Sequence, residues 1–146
     1  DLPRTGELTP DNVGNAIGWA TKSPFHDVYH KALCYCLGIN GDTRKNADRI
    51  YNFKTGSVKT KCLHEGWQTS GSLKVVRMAF NLYCNSTPSV WDYEDAEEQV
   101  NECRQYTVED IFCCVYAPYF WQAIQIRYPE YVVYNQKLHA MLGGID

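Results

Sequence analysis

Among the side chains able to do chemistry, the cysteines and histidines carry the most informative spacing. Cysteines stand at Cys34, Cys36, Cys62, Cys84, Cys103, Cys113 and Cys114. His26 and His30 lie four residues apart, a step that puts two imidazoles on one face of a helix and could grip zinc. No second pair of ligands follows nearby, so the pair reads as the polar shoulder of a helix, and no metal or other cofactor is expected. The chain contains no Cys-x-x-Cys knuckle, no His-Glu-x-x-His, no Gly-x-Ser-x-Gly and no glycine-rich phosphate loop. Catalytic residues are therefore not expected.

Without knuckles to hold a metal, the seven cysteines read as a disulfide framework, and that framework places the protein outside the cell. The sequon Asn85-Ser86-Thr87 points the same way and makes Asn85 a candidate glycosylation site. An odd count leaves one thiol over. Cys113 and Cys114 are adjacent, and a bond between them would strain the ring, so each is expected to reach a separate partner. Asp1 opens a polar stretch rather than a leader, as expected of a mature or a trimmed chain, and no apolar run is long enough to span a membrane.

The elements that must position these residues are helical. Phe25, Val28, Tyr29, Ala32, Leu33 and Cys36 recur at steps of three and four, one stripe of a helix opened by Ser23 and Pro24 and closed by Gly38. On such a helix Cys34 and Cys36 point about 200° apart, so they would tie it to two different neighbours. Before it, Thr9-Pro10-Asp11 opens a helix carrying Val13, Ala16, Ile17 and Ala20. After it, Thr43 caps a basic helix ending near Phe53, and Ser57 caps a short one stopped at Gly66.

A linker at 68–71 leads to a second set of helices. Ser72 opens a helix with Leu73, Val76, Ala79, Phe80 and Tyr83 in register. Trp91 to Tyr106 reads as an acidic helix whose inner face is Ala96, Val100 and Cys103. Thr107 to Asp110 resembles a capping box, Pro118 kinks or restarts the chain, and Pro129 opens a last helix through Leu142. No stretch alternates long enough for a strand. The expectation is one all-α domain over 1–146: a disulfide-stabilised bundle of about eight helices, with 9–67 and 71–142 as candidate pseudo-repeated four-helix halves.

Charge is unevenly spread along this bundle. Between Thr43 and Met78 eight bases face two acids, and between Trp91 and Asp110 eight acids face one base. Such stripes could pair internally or offer a dipolar surface to a partner. Arg44, Lys45, Arg49 and Lys54, with the aromatic run Tyr119, Phe120 and Trp121, form the candidate interaction surface. Tyr51, Phe53 and Trp67 among the bases invite a nucleic-acid reading, but the whole chain is acidic and carries no recognised motif, so no nucleic acid is expected.

Two cysteine-bearing fragments, Cys34-Tyr-Cys-Leu-Gly38 and Phe112-Cys-Cys-Val115, are similar to the calcium loop and active-site helix of secreted phospholipase A2. There a His-Asp pair follows the double cysteine; here Val115, Tyr116, Ala117 and Pro118 follow, so no base is present to activate water. Cys34-Tyr35-Cys36, with an altered second motif at Leu82-Tyr83-Cys84 or Phe112-Cys113-Cys114, resembles the BICYCLE effector family of aphids. That resemblance implies a secreted salivary effector, delivered into plant tissue, which acts without catalysis on an unidentified host protein to alter the host, including in gall formation. The alternative is a small-ligand carrier resembling insect odorant-binding proteins, whose partner would be a small apolar molecule. Its cysteine spacings differ, since this chain shows Cys-x-Cys and Cys103-x9-Cys113.

Overall fold

A computed structural model describes residues 27–131 and 140–143. The described residues are all-α, apart from one hairpin with strands of two residues each. Expectations for the opening helix near Thr9, for Ser23, Pro24 and His26, and for most of the last helix fall outside them.

The first described helix, α1 (Val28–Ile39), is the middle of the molecule. Asp27 caps it by accepting from the His30 amide at 3.0 Å. From Ala32 to Ile39 every residue is buried, so the helix is enclosed on all sides rather than along one stripe. The reason is its two neighbours: α4 (Ser70–Cys84) and α7 (Ala117–Arg127) both pack on it. Gly38 does not end it. Gly38 lies inside the helix, and the chain leaves at Asn40 in extended conformation.

The turn after α1 is held by side chains that finish its open carbonyls. Asn40 accepts from the amides of Asp42 and Thr43 at 2.8 and 3.1 Å, capping α2 (Gly41–Lys45). Thr43 donates its hydroxyl toward Leu37 O and Asn40 O, and Arg44 donates to Gly38 O at 2.6 Å. Asn40 also donates to the Tyr116 hydroxyl at 2.7 Å. A Cβ on Gly71 would stand 3.0 Å from that same tyrosine ring, so α4 approaches closely only because position 71 is glycine.

The predicted basic helix to Phe53 is broken. A short α3 (Ala47–Ile50) passes into β1 (Tyr51–Asn52), which pairs antiparallel with β2 (Ser57–Val58). Asn52 closes the turn by accepting from the amides of Lys54 and Thr55 at 2.9 and 3.1 Å, and Gly56 takes the left-handed conformation there. Ser57 therefore lies in a strand, not at a helix cap. A 3-10 helix, Thr60–His64, follows.

α4 opens with a reciprocal capping box between Thr69 and Ser72, so the helix begins inside the stretch read as a linker. It buries Val75, Val76, Met78, Ala79, Phe80 and Leu82 and stops at Asn85, whose φ is +54°. A second 3-10 helix (Pro88–Asp92), α5 (Ala96–Arg104) and α6 (Val108–Phe112) follow. Thr107 caps α6 through the Asp110 amide, and Pro118 sits in the first turn of α7, both as expected. One apolar cluster joins α1, α3, α4 and α7, running across the 68–71 stretch.

Candidate functional site

The cysteines were the first chemical candidates, and all seven are free thiols. No two of them are joined, so the fold does not support the expected disulfide framework. Cys34, Cys36 and Cys62 are buried in the core, where an uncharged thiol behaves as a small apolar side chain. Burial pushes Cys34 and Cys62 up to about 12 and raises Cys36 and Cys84 as well, which suppresses the reactive thiolate. Cys84 and Cys114 are half-buried; Cys103 and Cys113 are exposed. Tyr35, between the two core cysteines, is buried beside them, and its hydroxyl has no hydrogen-bond partner among the described residues.

His30 is engaged with protein groups. Its Nδ1 lies 2.6 Å from Asp27 Oδ2 and its Nε2 lies 2.9 Å from the Tyr83 hydroxyl, which in turn donates to Gly56 O. Burial alone would raise the Asp27 carboxyl, but the hydrogen bonds and charge of His30 outweigh it and hold the group below its usual value. The chain Asp27–His30–Tyr83 ends on a backbone carbonyl and ties the start of α1 to α4 and to the hairpin. Among the described residues no three His, Cys, Asp or Glu side chains converge as a metal site.

The aromatic half of the expected interaction surface is corrected. Tyr119 and Phe120 are fully buried on α7, and of that run only Trp121 reaches solvent, at 48% exposure. The helix stripe explains it: Tyr119, Phe120, Ala123 and Arg127 share the face that meets α1. Arg127 is itself buried, donating to Leu82 O and Asn85 Oδ1 at 3.0 and 2.8 Å with Tyr29 stacked 3.6 Å from its guanidinium. Asn85 is exposed, and it serves as the left-handed cap of α4 and a partner of Arg127.

The basic half divides as well. Arg44 is half-buried and spent on the end of α1, whereas Lys45, Arg49 and Lys54 are exposed. Arg49 belongs to an open groove of about 500 Å³ lined by Asp48, Arg49, Val58, Lys59, Thr60, Lys61, Cys62 and Glu65. Glu65 accepts from Arg49 at 3.3 Å and from the Trp67 indole at 2.8 Å.

Sequence reasoning missed the neighbouring surface. α5 does not bury Ala96, Val100 and Cys103; all three are exposed, Val100 at 49%. Its one buried residue is Glu102, 4% exposed. Arg77 of α4 grips that carboxylate with two bonds, 3.0 and 2.9 Å, and Ser89 donates to it while bonding the Tyr106 hydroxyl at 2.8 Å. Burial raises Tyr106 to about 12. This polar anchor fixes α5 and the Pro88–Asp92 turn, whose Ser89 and Val90 are buried and whose next residue, Trp91, stands 81% exposed.

Carboxylates crowd that tryptophan in sequence: Asp92, Glu94, Asp95, Glu97 and Glu98, of which only Asp92 makes an ion-pair contact among the described residues, with His64 at 3.9 Å. The charge stripes therefore meet at few points, Arg77–Glu102 being the close one. An exposed indole on a pinned turn thus stands in an acidic ridge beside a groove of mixed charge, three bases against two carboxylates. No sequon-like or motif signal marks Trp91; only its position between a proline turn and an acidic run could have drawn attention to it. No curated protein and no solved structure matches the chain. A family of unknown function (DUF6075) matches residues 18–140, and the chain belongs to that family.

Proposed function

We propose that this protein works without catalysis, by binding another protein through the surface centred on Trp91. One observation carries the reading: a tryptophan left 81% exposed on a turn whose two preceding residues are buried. Holding that indole in water forgoes its burial, and a rigid aromatic anchor loses little entropy when a partner covers it. The flanking carboxylates suit a partner that presents Lys or Arg around an apolar pocket. The other polar clusters support the same view, because Asp27–His30–Tyr83 and Glu102–Arg77 are occupied by structural bonds.

The narrower expectation, a salivary effector acting on a plant protein, is a special case of this reading. It rests on the resemblance of Cys34-Tyr35-Cys36, whose cysteines are core thiols here. The contact reading does not depend on it, nor on where the protein resides.

The test is parallel capture with wild type and Trp91→Ala, from extract of the producing organism and from plant extract, at low and high salt. A protein held by wild type, lost with Trp91→Ala and released by salt is the expected result. Identical captures by the two forms would overturn the assignment to Trp91. Capture through Trp91 from plant extract alone would favour the effector case.

A further inference from the structure

Resting on that reading of the Trp91 surface, we infer that its partner is a second copy of this chain, in a two-fold dimer that seats each Trp91 in the other copy's basic groove. Three observations lead there. The knob and the groove are neighbours: the 3-10 helix Thr60–His64 packs on the 3-10 helix Pro88–Asp92, and Thr60 at the groove's edge donates to Asp92 at 3.2 Å, one residue from Trp91. Their charges differ on balance: in the groove Arg49, Lys59 and Lys61 outnumber Asp48 and Glu65, with Arg49 bonded to Glu65 and Lys59 donating to Asp48 O, whereas residues 92–98 of the ridge hold five carboxylates and no base. The groove's lining also has two apolar members, half-buried Val58 and buried Cys62.

Adjacent opposite patches have a geometric consequence. Turning a second copy about an axis through their border brings ridge onto groove twice, since in a two-fold interface each contact is made reciprocally. The indole then lies under guanidinium and ammonium groups, a favoured cation–aromatic pairing, and its area is removed from water. Such an interface closes at two copies and leaves no free knob to propagate a filament.

Sedimentation velocity of the full chain at increasing concentration tests this. Wild type is expected to pass from monomer to dimer at low salt, with the dimer weakened by high salt. Trp91→Ala should weaken association by about thirtyfold, the loss of a hot-spot side chain, while its far-ultraviolet circular dichroism is unchanged. Two charge reversals make the stricter test. Lys59→Glu with Lys61→Glu, and Glu94→Lys with Glu97→Lys, should each give monomers alone. Mixed, they should form a mixed dimer, because ridge and groove are again opposite in both contacts. Failure of the mixture to associate overturns the reciprocal docking. A wild-type chain that stays monomeric overturns the dimer; if it still captures a foreign protein through Trp91, the contact reading survives, and if it captures none, both fall.

Discussion

Cys34 and Cys36 are sealed from solvent on α1, where a thiolate would lose the hydration that stabilises it, so burial raises both above their ordinary value. Their opposite directions on the helix were legible from spacing; what they meet there was not, because spacing does not distinguish a cystine from a packed thiol. Reactivity should follow burial. In the native protein Cys103 and Cys113 should be alkylated first, Cys84 and Cys114 later, and Cys34, Cys36 and Cys62 only on unfolding, read by mass spectrometry of timed iodoacetamide quenches. Early labelling of Cys34 would contradict its place in the core. A pH dependence follows with a definite sign. Cys34 and Cys62 ionise at about 12 when folded against an ordinary value of 9.0, so between those values the unfolded chain releases protons that the folded chain keeps. Their contribution is complete below pH about 9 and is lost as pH rises toward about 12. Urea midpoints measured over rising pH should therefore fall less steeply for Cys34→Ala than for wild type; parallel slopes would remove the thiol from the explanation.

At the scale of elements, α5 shows where a sequence pattern misleads and why. Ala96, Val100 and Cys103 do share a face, but the face turned inward carries Glu102, because Arg77 and Ser89 satisfy its carboxylate. A residue type that is seldom buried was pulled in by partners 25 and 13 positions away, which no local window contains. The hairpin escaped for a different reason: two-residue strands are too short to show alternation, and an Asn52 turn rather than periodicity makes them. By contrast the helical character of α1, α4 and α7, the cap at Thr107 and the restart at Pro118 were readable, since each depends on nearby residues. The orientation of α5 can be checked directly. Glu102→Ala should destabilise by about 3–5 kcal/mol, because it strands the Arg77 guanidinium, whose side chain is only 11% exposed. Val100→Ser, on the face expected to be inward, should change stability by about 0.5 kcal/mol or less. Urea denaturation of the two variants decides it, and a larger loss at Val100 would mean the helix is rotated.

Across the whole molecule, the question is what holds the chain together once the cross-links are gone. The apolar cluster contains Leu33, Leu37, Ile50, Val75, Val76, Phe80 and Phe120, all essentially without solvent contact, and it reaches from α1 through α4 to α7. Polar ties then fix the periphery: Asn40 to Tyr116, Arg127 to Leu82 and Asn85, and Arg77 to Glu102. Each joins segments far apart in sequence, the job a cystine does, but each acts only in the folded state, whereas a cystine also restricts the unfolded chain. The two possibilities respond oppositely to reductant. With thiols alone, the unfolded ensemble is the same whether or not reductant is present, so the thermal midpoint should not move. With even one native cystine, reduction would open a loop closed in the unfolded chain and cost about 2–4 kcal/mol, a displacement of several degrees for a domain of this kind. Thermal melts with and without a strong thiol reductant, read beside the intact mass of protein alkylated under denaturing conditions, separate the cases: seven alkyl groups and coincident melts are expected, and a missing pair of alkyl groups with a lowered midpoint would return the fold to a cross-linked framework.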